Sequence, residues 1–134
     1  MTMKHKTAEL EGALLDAAVR KAWGEPTTDD LWMFGLSHFE ELKPSISWRH
    51  GGPIIERERI ELDVGVGGDD GEHFWMGTWH YRGRQEICLI GTPRPGALTL
   101  ATMPKSCHSI GTTPLIAGMR AYIASKLGDE IELP

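Results

Sequence analysis

The chain has 134 residues, of which 40% are hydrophobic and 25% charged, with five tryptophans and a net charge of −5. This length and apolar content suit one domain with a single core and exclude intrinsic disorder. Basic residues are scattered and interrupted by acids, as at Glu56, Arg57, Glu58 and Arg59, which disfavours nucleic acid as a partner because duplex binding needs positive charge gathered on one face.

In chain order, Met3–Lys6 reads as a short edge strand. Thr7 caps the helix that follows, its hydroxyl accepting from free backbone N–H groups of the first turn. Glu9 and Glu11 then set negative charge at the positive end of the dipole. Leu10, Leu14, Ala17 and Ala18 recur at helical spacing, and Leu15, Val19 and Ala22 widen the stripe. Gly24 ends the helix and Pro26 stops it resuming. Between residues 25 and 53 the aromatics Trp32, Phe34, Phe39 and Trp48 arrive without a clean period. Residues 31–35 (LWMFG) read there as a short strand. Residues 37–43 form one helical turn started by Ser37, with Glu40 completing a capping box. Pro44 stops any helix, and Gly51, Gly52 and Pro53 make a turn, since glycine admits positive φ and proline fixes the exit.

Ile60, Leu62 and Val64 alternate with Glu61 and Asp63, the pattern of a half-buried strand. Residues 65–71 (GVGGDDG) form a turn or loop. Residues 73–81 follow as an aromatic strand, with Trp75, Trp79 and Tyr81 on one side and Phe74, Met76 and Thr78 on the other. Arg82, Gly83 and Arg84 make a hairpin turn, and residues 86–90 (EICLI) return. A further strand at 97–103 follows the breaker cluster TPRPG. Strands joined in sequence by short turns imply an antiparallel meander. The last helix starts at Thr113, with Pro114 in its first position. It buries Ile116, Met119, Ile123 and Leu127, flanked by Leu115 and Tyr122, carries Lys126 in its last turn and exits at Gly128. Ile131 and Leu133 fold the tail back onto the core.

His73, His80, His108, Cys88 and Cys107 invite a metal. Structural zinc pairs its ligands about two to four residues apart. The close pair here, Cys107 and His108, is adjacent, and neighbours in an extended chain point apart. The sequence therefore predicts no metal and no cofactor. A Cys–His nucleophile meets the same objection; Cys107 with His80 from a neighbouring strand remains imaginable. Gly65, Gly67 and Gly68 lack the helix and lysine of a phosphate loop, and Asp69 and Asp70 would repel phosphate. Asp63, Asp69, Asp70 and Glu72 lack calcium-loop spacing. No apolar run approaches the roughly 20 residues of a membrane helix, and the charged start is unlike a secretion signal. A cytoplasmic protein of a bacterial host is expected, with Cys88 and Cys107 as reduced thiols.

The aromatics admit two readings. Trp75 and Trp79 share a strand face, and Trp48 stands beside Arg49 and His50. Burial in a two-layer core is the stronger reading for large rings. Partner binding is the other, because Trp and Arg are enriched in hot spots. Residues 47–59 (SWRHGGPIIERER) join a turn to alternating charges. A charged edge that blocks unwanted pairing is weighed there against a loop that carries function.

Three stretches in order, 7–22 (TAELEGALLDAAVRKA), 44–60 (PSISWRHGGPIIERERI) and 111–134 (GTTPLIAGMRAYIASKLGDEIELP), resemble the NinX-like family of small phage and prophage proteins. The resemblance is strongest at the C-terminal end. It implies a phage or prophage accessory protein, with no established functional residues to carry over. Residues 65–71 and 92–106 depart from the family pattern. The expected architecture is one α+β domain over residues 1–134, an antiparallel sheet of four to five strands with the N- and C-terminal helices packed on one face. The expected function is a non-enzymatic module that binds an unidentified host or phage protein. Trp48, Arg49, His50, Arg57, Arg59, Trp75 and Trp79 are its candidate contacts. The alternative is a small-molecule-binding or hydrolytic domain that uses the aromatic sheet face with His80 and Cys107. Should Trp75 and Trp79 point away from the helices, a homodimer is expected to cover them.

Overall fold

A computed structural model describes residues 2–67, 72–80 and 106–134. Helix α4 (Pro114–Leu127) is the element on which most of the others pack. It starts as its residues require: Thr113 Oγ1 accepts from the backbone N–H of Ile116 at 3.1 Å, and Pro114 fills the first turn. Leu115, Ala117, Gly118, Met119, Ala121, Tyr122 and Ile123 are all buried. They cover most of the helix circumference, as in a helix enclosed by its neighbours.

One neighbour is an antiparallel sheet of β2 (Glu61–Gly67), β3 (Glu72–His80) and β4 (Ser106–Gly111), in that order. Its register pairs Leu62 and Ser109 with Gly77. A Cβ at Gly77 would lie 2.5 Å from the Ala117 carbonyl oxygen, and one at Gly111 would lie 2.7 Å from the Ala117 nitrogen. The helix backbone therefore rests almost directly on the strands. Alternation puts Trp75 and Trp79 on the same strand face as Gly77, so they lie on the side that α4 covers. Trp79 packs against the core. The condition attached to a homodimer, aromatics pointing away from the helices, is not met by this pair.

Helix α1 (Gly12–Trp23) packs on α4 from elsewhere and has at most marginal contact with the described strands of that sheet. A second sheet pairs β1 (Met3–Lys6) with β5 (Glu130–Leu133), from Met3 opposite Leu133 to Lys6 opposite Glu130. Ile131 and Leu133 point inward, as their alternation implies. The α+β class and antiparallel pairing hold, but the five described strands divide between two sheets, with α4 the shared layer.

Thr7 does not cap α1. It opens a 3₁₀ turn (Thr7–Glu9), donates its hydroxyl to the Gly128 carbonyl at 2.6 Å, and its N–H reaches the Asp129 carbonyl at 2.8 Å. It fastens the two chain ends instead, while Glu11 stands at the N-cap of α1 without a side-chain bond. The buried face of α1 is Leu15, Asp16, Ala18 and Val19, and Leu14 is exposed. Asp16 turns inward because its carboxylate accepts the backbone N–H of Ser45 at 2.9 Å. The exit at Gly24 is as expected, with φ of 84°.

Two expectations between residues 25 and 60 are corrected. The strand at 31–35 is part of helix α2 (Thr28–Phe34), capped by a reciprocal box. In that box Asp30 N donates to Thr27 Oγ1 at 3.1 Å, and Thr27 N donates to Asp30 Oδ2 at 2.9 Å. Phe39–Glu41 forms the anticipated single turn, although His38 precedes it and no side chain caps it. The turn at Gly51, Gly52 and Pro53 is the interior of helix α3 (Trp48–Glu58). Packing overrides propensity here: Ile54 is fully buried, and a Cβ on Gly51 would come within 2.6 Å of Leu115. Pro53 still removes the bond that the Arg49 carbonyl would accept. The expected turn at 82–84, the strands at 86–90 and 97–103, Tyr81 and Cys88 lie outside the described residues.

Candidate protein-binding face

Helix α2 is anchored by Phe34, fully buried and set edge-on to Trp23 with ring centroids 5.2 Å apart. Two residues span about 200° of a helix, so burying Phe34 turns Trp32 outward. Trp32 is 85% exposed. The adjoining segment is held from below. Leu42, Pro44 and Ser45 are buried, Arg20 donates to the Leu42 carbonyl at 3.1 Å, and Asp16 holds the Ser45 N–H. Between and beyond these anchors Ile46 and Trp48 stay in water, 76% and 54% exposed. The two elements meet where the Arg49 guanidinium lies over Gly35, the left-handed exit of α2. Positive charge is favourable at that negative helix end.

His50 has a structural part in this face. Its Nδ1 accepts the Lys43 backbone N–H at 2.9 Å, which puts the ring proton of the neutral form on Nε2. Burial, then the charge of Arg49, holds its pKa below the ordinary histidine value, against the pull of Asp16 and Glu41. With one nitrogen engaged and the other protonated, the ring has no free lone pair for general-base work.

Arg57 lies over the Trp23 ring, 3.7 Å from its centroid, and the Trp23 indole donates to Asp30 Oδ2 at 3.1 Å. The Thr27 backbone N–H, helped by that indole, holds the Asp30 carboxyl below its ordinary value. Glu58 sits 3.8 Å from Arg57 and 2.8 Å from Lys126, whose ammonium faces the Trp79 ring at 5.6 Å. Tyr122 is buried beneath, and burial pushes its hydroxyl up to about 12, with the Arg57 charge and hydrogen bond opposing. Arg57, Trp79 and their neighbours thus tie α1, α2, α3, α4 and β3 together. Arg59 ends α3 in the left-handed region at φ 52° and ψ 48°, an exposed position that glycine would occupy with less strain.

Of the seven candidate contacts, Trp48 and Arg49 reach the open face and His50 braces it. Arg57, itself exposed, belongs to the cluster that joins Trp23 and Glu58, Arg59 to a helix exit, and Trp75 and Trp79 to the side of the sheet under α4. Trp32 and Ile46 were missed. The signal for Trp32 was the box of Thr27 and Asp30 followed by Gly35, a complete helix signature read as a strand.

The residues of the alternative reading are not paired by the register. Cys107 stands opposite Trp79 and His80 opposite Ser106, so Cys107 and His80 occupy alternate positions of the pleat. The cleft of about 260 Å³ beside Thr7, Ser109, Ala124 and Asp129 has no histidine or cysteine among its described walls. Among the described residues no three of His, Cys, Asp and Glu are placed to hold a metal ion, and no helix is long and apolar enough to cross a membrane.

The family model for bacteriophage P22 NinX matches residues 6–92. That range contains α1, α2, α3, β2 and β3, and with them Trp32, Ile46, Trp48 and Arg49. It includes the stretches 7–22 and 44–60, while 111–134, where the resemblance had been judged strongest, lies beyond it. No curated protein matches the chain.

Proposed function

The chain belongs to the bacteriophage P22 NinX family, and from that premise we propose that it is a phage accessory protein that binds another protein through the face formed by α2 and the start of α3. The observation that carries the reading is the exposure of Trp32 at 85%, with Ile46 and Trp48 on the adjoining element. Leaving such side chains in water forgoes on the order of 2 kcal/mol of burial each. Single exposed apolar residues need no explanation, but several on two contacting elements mark an interaction surface. Trp and Arg are the usual anchors of such surfaces, and Arg49 is held here against α2. The helical mounting of Trp32 and Trp48 supports the same reading, since side chains on rigid elements lose less freedom when they bind.

The test uses Trp32→Ala combined with Trp48→Ala. Both rings are largely solvent-exposed, so the variant is expected to keep the circular dichroism and urea midpoint of the native chain. A protein that co-purifies with the native chain from phage-infected cells should bind the variant at least about 30-fold more weakly, as loss of one hot spot implies. Undiminished binding by the folded variant contradicts the proposal. If the partner that is lost is a second copy of the chain, light scattering of the purified protein will show it.

A further inference from the structure

We infer that His50 is a proton-operated latch that fixes how Ile46 and Trp48 are presented. The inference rests on the proposed binding face for its purpose, but the latch itself rests on geometry. Neutral His50 closes residues 43–50 into a loop by accepting the Lys43 N–H at 2.9 Å. Two further ties within that loop, Ile46 N and Ser47 N to the Lys43 carbonyl at 3.3 and 3.0 Å, use the same residue. Ile46 and Trp48 lie inside the closed segment and are its exposed apolar side chains. Once protonated, Nδ1 becomes a donor and faces another donor, so the bond changes from attraction to repulsion. The rest of the segment has independent anchors in Leu42, Pro44 and the Ser45–Asp16 bond. Release is therefore confined to the exposed stretch and does not unfold the domain.

The charged groups around the ring set the direction. Arg49 on α3 and Lys43 at the start of the loop resist the proton, and Asp16 on α1 and Glu41 on the Phe39–Glu41 turn attract it. Partial burial is the largest resistance, ahead of Arg49, so the latch opens below the ordinary histidine value. Trp48 starts α3 and Arg49 follows it, so opening alters the position of two proposed contacts at once.

The experiment is a titration of the full chain, labelled with ¹⁵N, from about pH 7.5 to about pH 5. Imidazole nitrogen shifts give the tautomer and midpoint of His50, and amide exchange corrected for the intrinsic rate gives the protection of Lys43. The latch predicts an Nε2–H tautomer at neutral pH. It also predicts about a tenfold loss of Lys43 protection on protonation, with Ile46 amide and Trp48 indole shifts following the same midpoint below 6.5. In His50→Asn, whose side-chain oxygen accepts without titrating, Lys43 protection and both shifts should stay constant across the range. An Nδ1–H tautomer overturns the latch. So does unchanged Lys43 protection in the protonated native chain, or Ile46 and Trp48 signals that ignore the His50 midpoint. Should the variant fail to fold, the native titration decides alone. No partner is needed, so a working latch on a chain that binds nothing would count against the proposed function and leave the latch standing.

Discussion

Tyr122 places an ionisable hydroxyl in the interior, and its neighbours decide what that does to stability. Its side chain is fully buried, and its pKa rises from 10.0 to about 12 because burial disfavours the phenolate, with Arg57 opposing and Glu58 assisting. A raised folded pKa makes a contribution that is whole below the unfolded value and declines as pH rises toward the folded one. The protein should therefore lose stability between pH 10 and 12. Tyr122→Phe should flatten that decline, at a neutral-pH cost of about 1 kcal/mol for the lost hydrogen bond. Urea midpoints at both ends of the interval, with tyrosinate absorbance to assign the group, check this; ionisation of Tyr122 near pH 10 would refute it. Little of this was legible in the sequence. Alternating charges at Glu56, Arg57, Glu58 and Arg59 read as a solvated edge, yet Arg57 stacks on Trp23 and Glu58 meets Lys126. Those partners are distant in the chain, and only the tertiary fold brings them together.

At the scale of elements, caps and periodicity revealed the segments whose local preferences agree with their environment. Helix α4 begins at Thr113 and Pro114 and exits at Gly128, α1 ends at Gly24, and Ile131 and Leu133 fold back onto the core, as read, although the tail does so as the strand β5. Helix α3 was hidden because Gly51, Gly52 and Pro53 oppose a helix locally, while Gly51 is needed for close approach to Leu115. The glycines can be told apart by what a methyl group would meet. At Gly77 it would strike the Ala117 carbonyl, which belongs to the backbone and has little room to yield. Gly77→Ala should therefore destabilise the protein by about 1–3 kcal/mol. A Cβ on Gly52 meets nothing within 4 Å apart from its chain neighbours. Pro53 follows, however, and its ring crowds the Cβ of a preceding helical residue, so the helix preference of alanine is offset and Gly52→Ala should change stability by less than about 1 kcal/mol. Chemical denaturation of the pair reads the difference between them. A neutral Gly77→Ala would show that α4 does not lie on the strands as described.

For the whole molecule, the sequence predicted the α+β class and antiparallel pairing, but not the division into two sheets. Short strands at opposite ends of the chain carry no local mark of pairing with each other. The β1–β5 clasp is held by Thr7, whose hydroxyl was read as a helix cap, a role with the same local chemistry. This arrangement encloses α4, places Trp75 and Trp79 on the sheet side that α4 packs against, and leaves Trp32, Ile46 and Trp48 among the exposed apolar side chains, on α2, α3 and the segment between them. The binding face is tested most directly by placing the photocrosslinker p-benzoylphenylalanine at position 32, and separately at Lys4 on β1, in phage-infected cells. The account predicts a discrete covalent adduct with another protein from position 32 and none from position 4. Adducts from position 4 alone, or the same adducts from both, would contradict it.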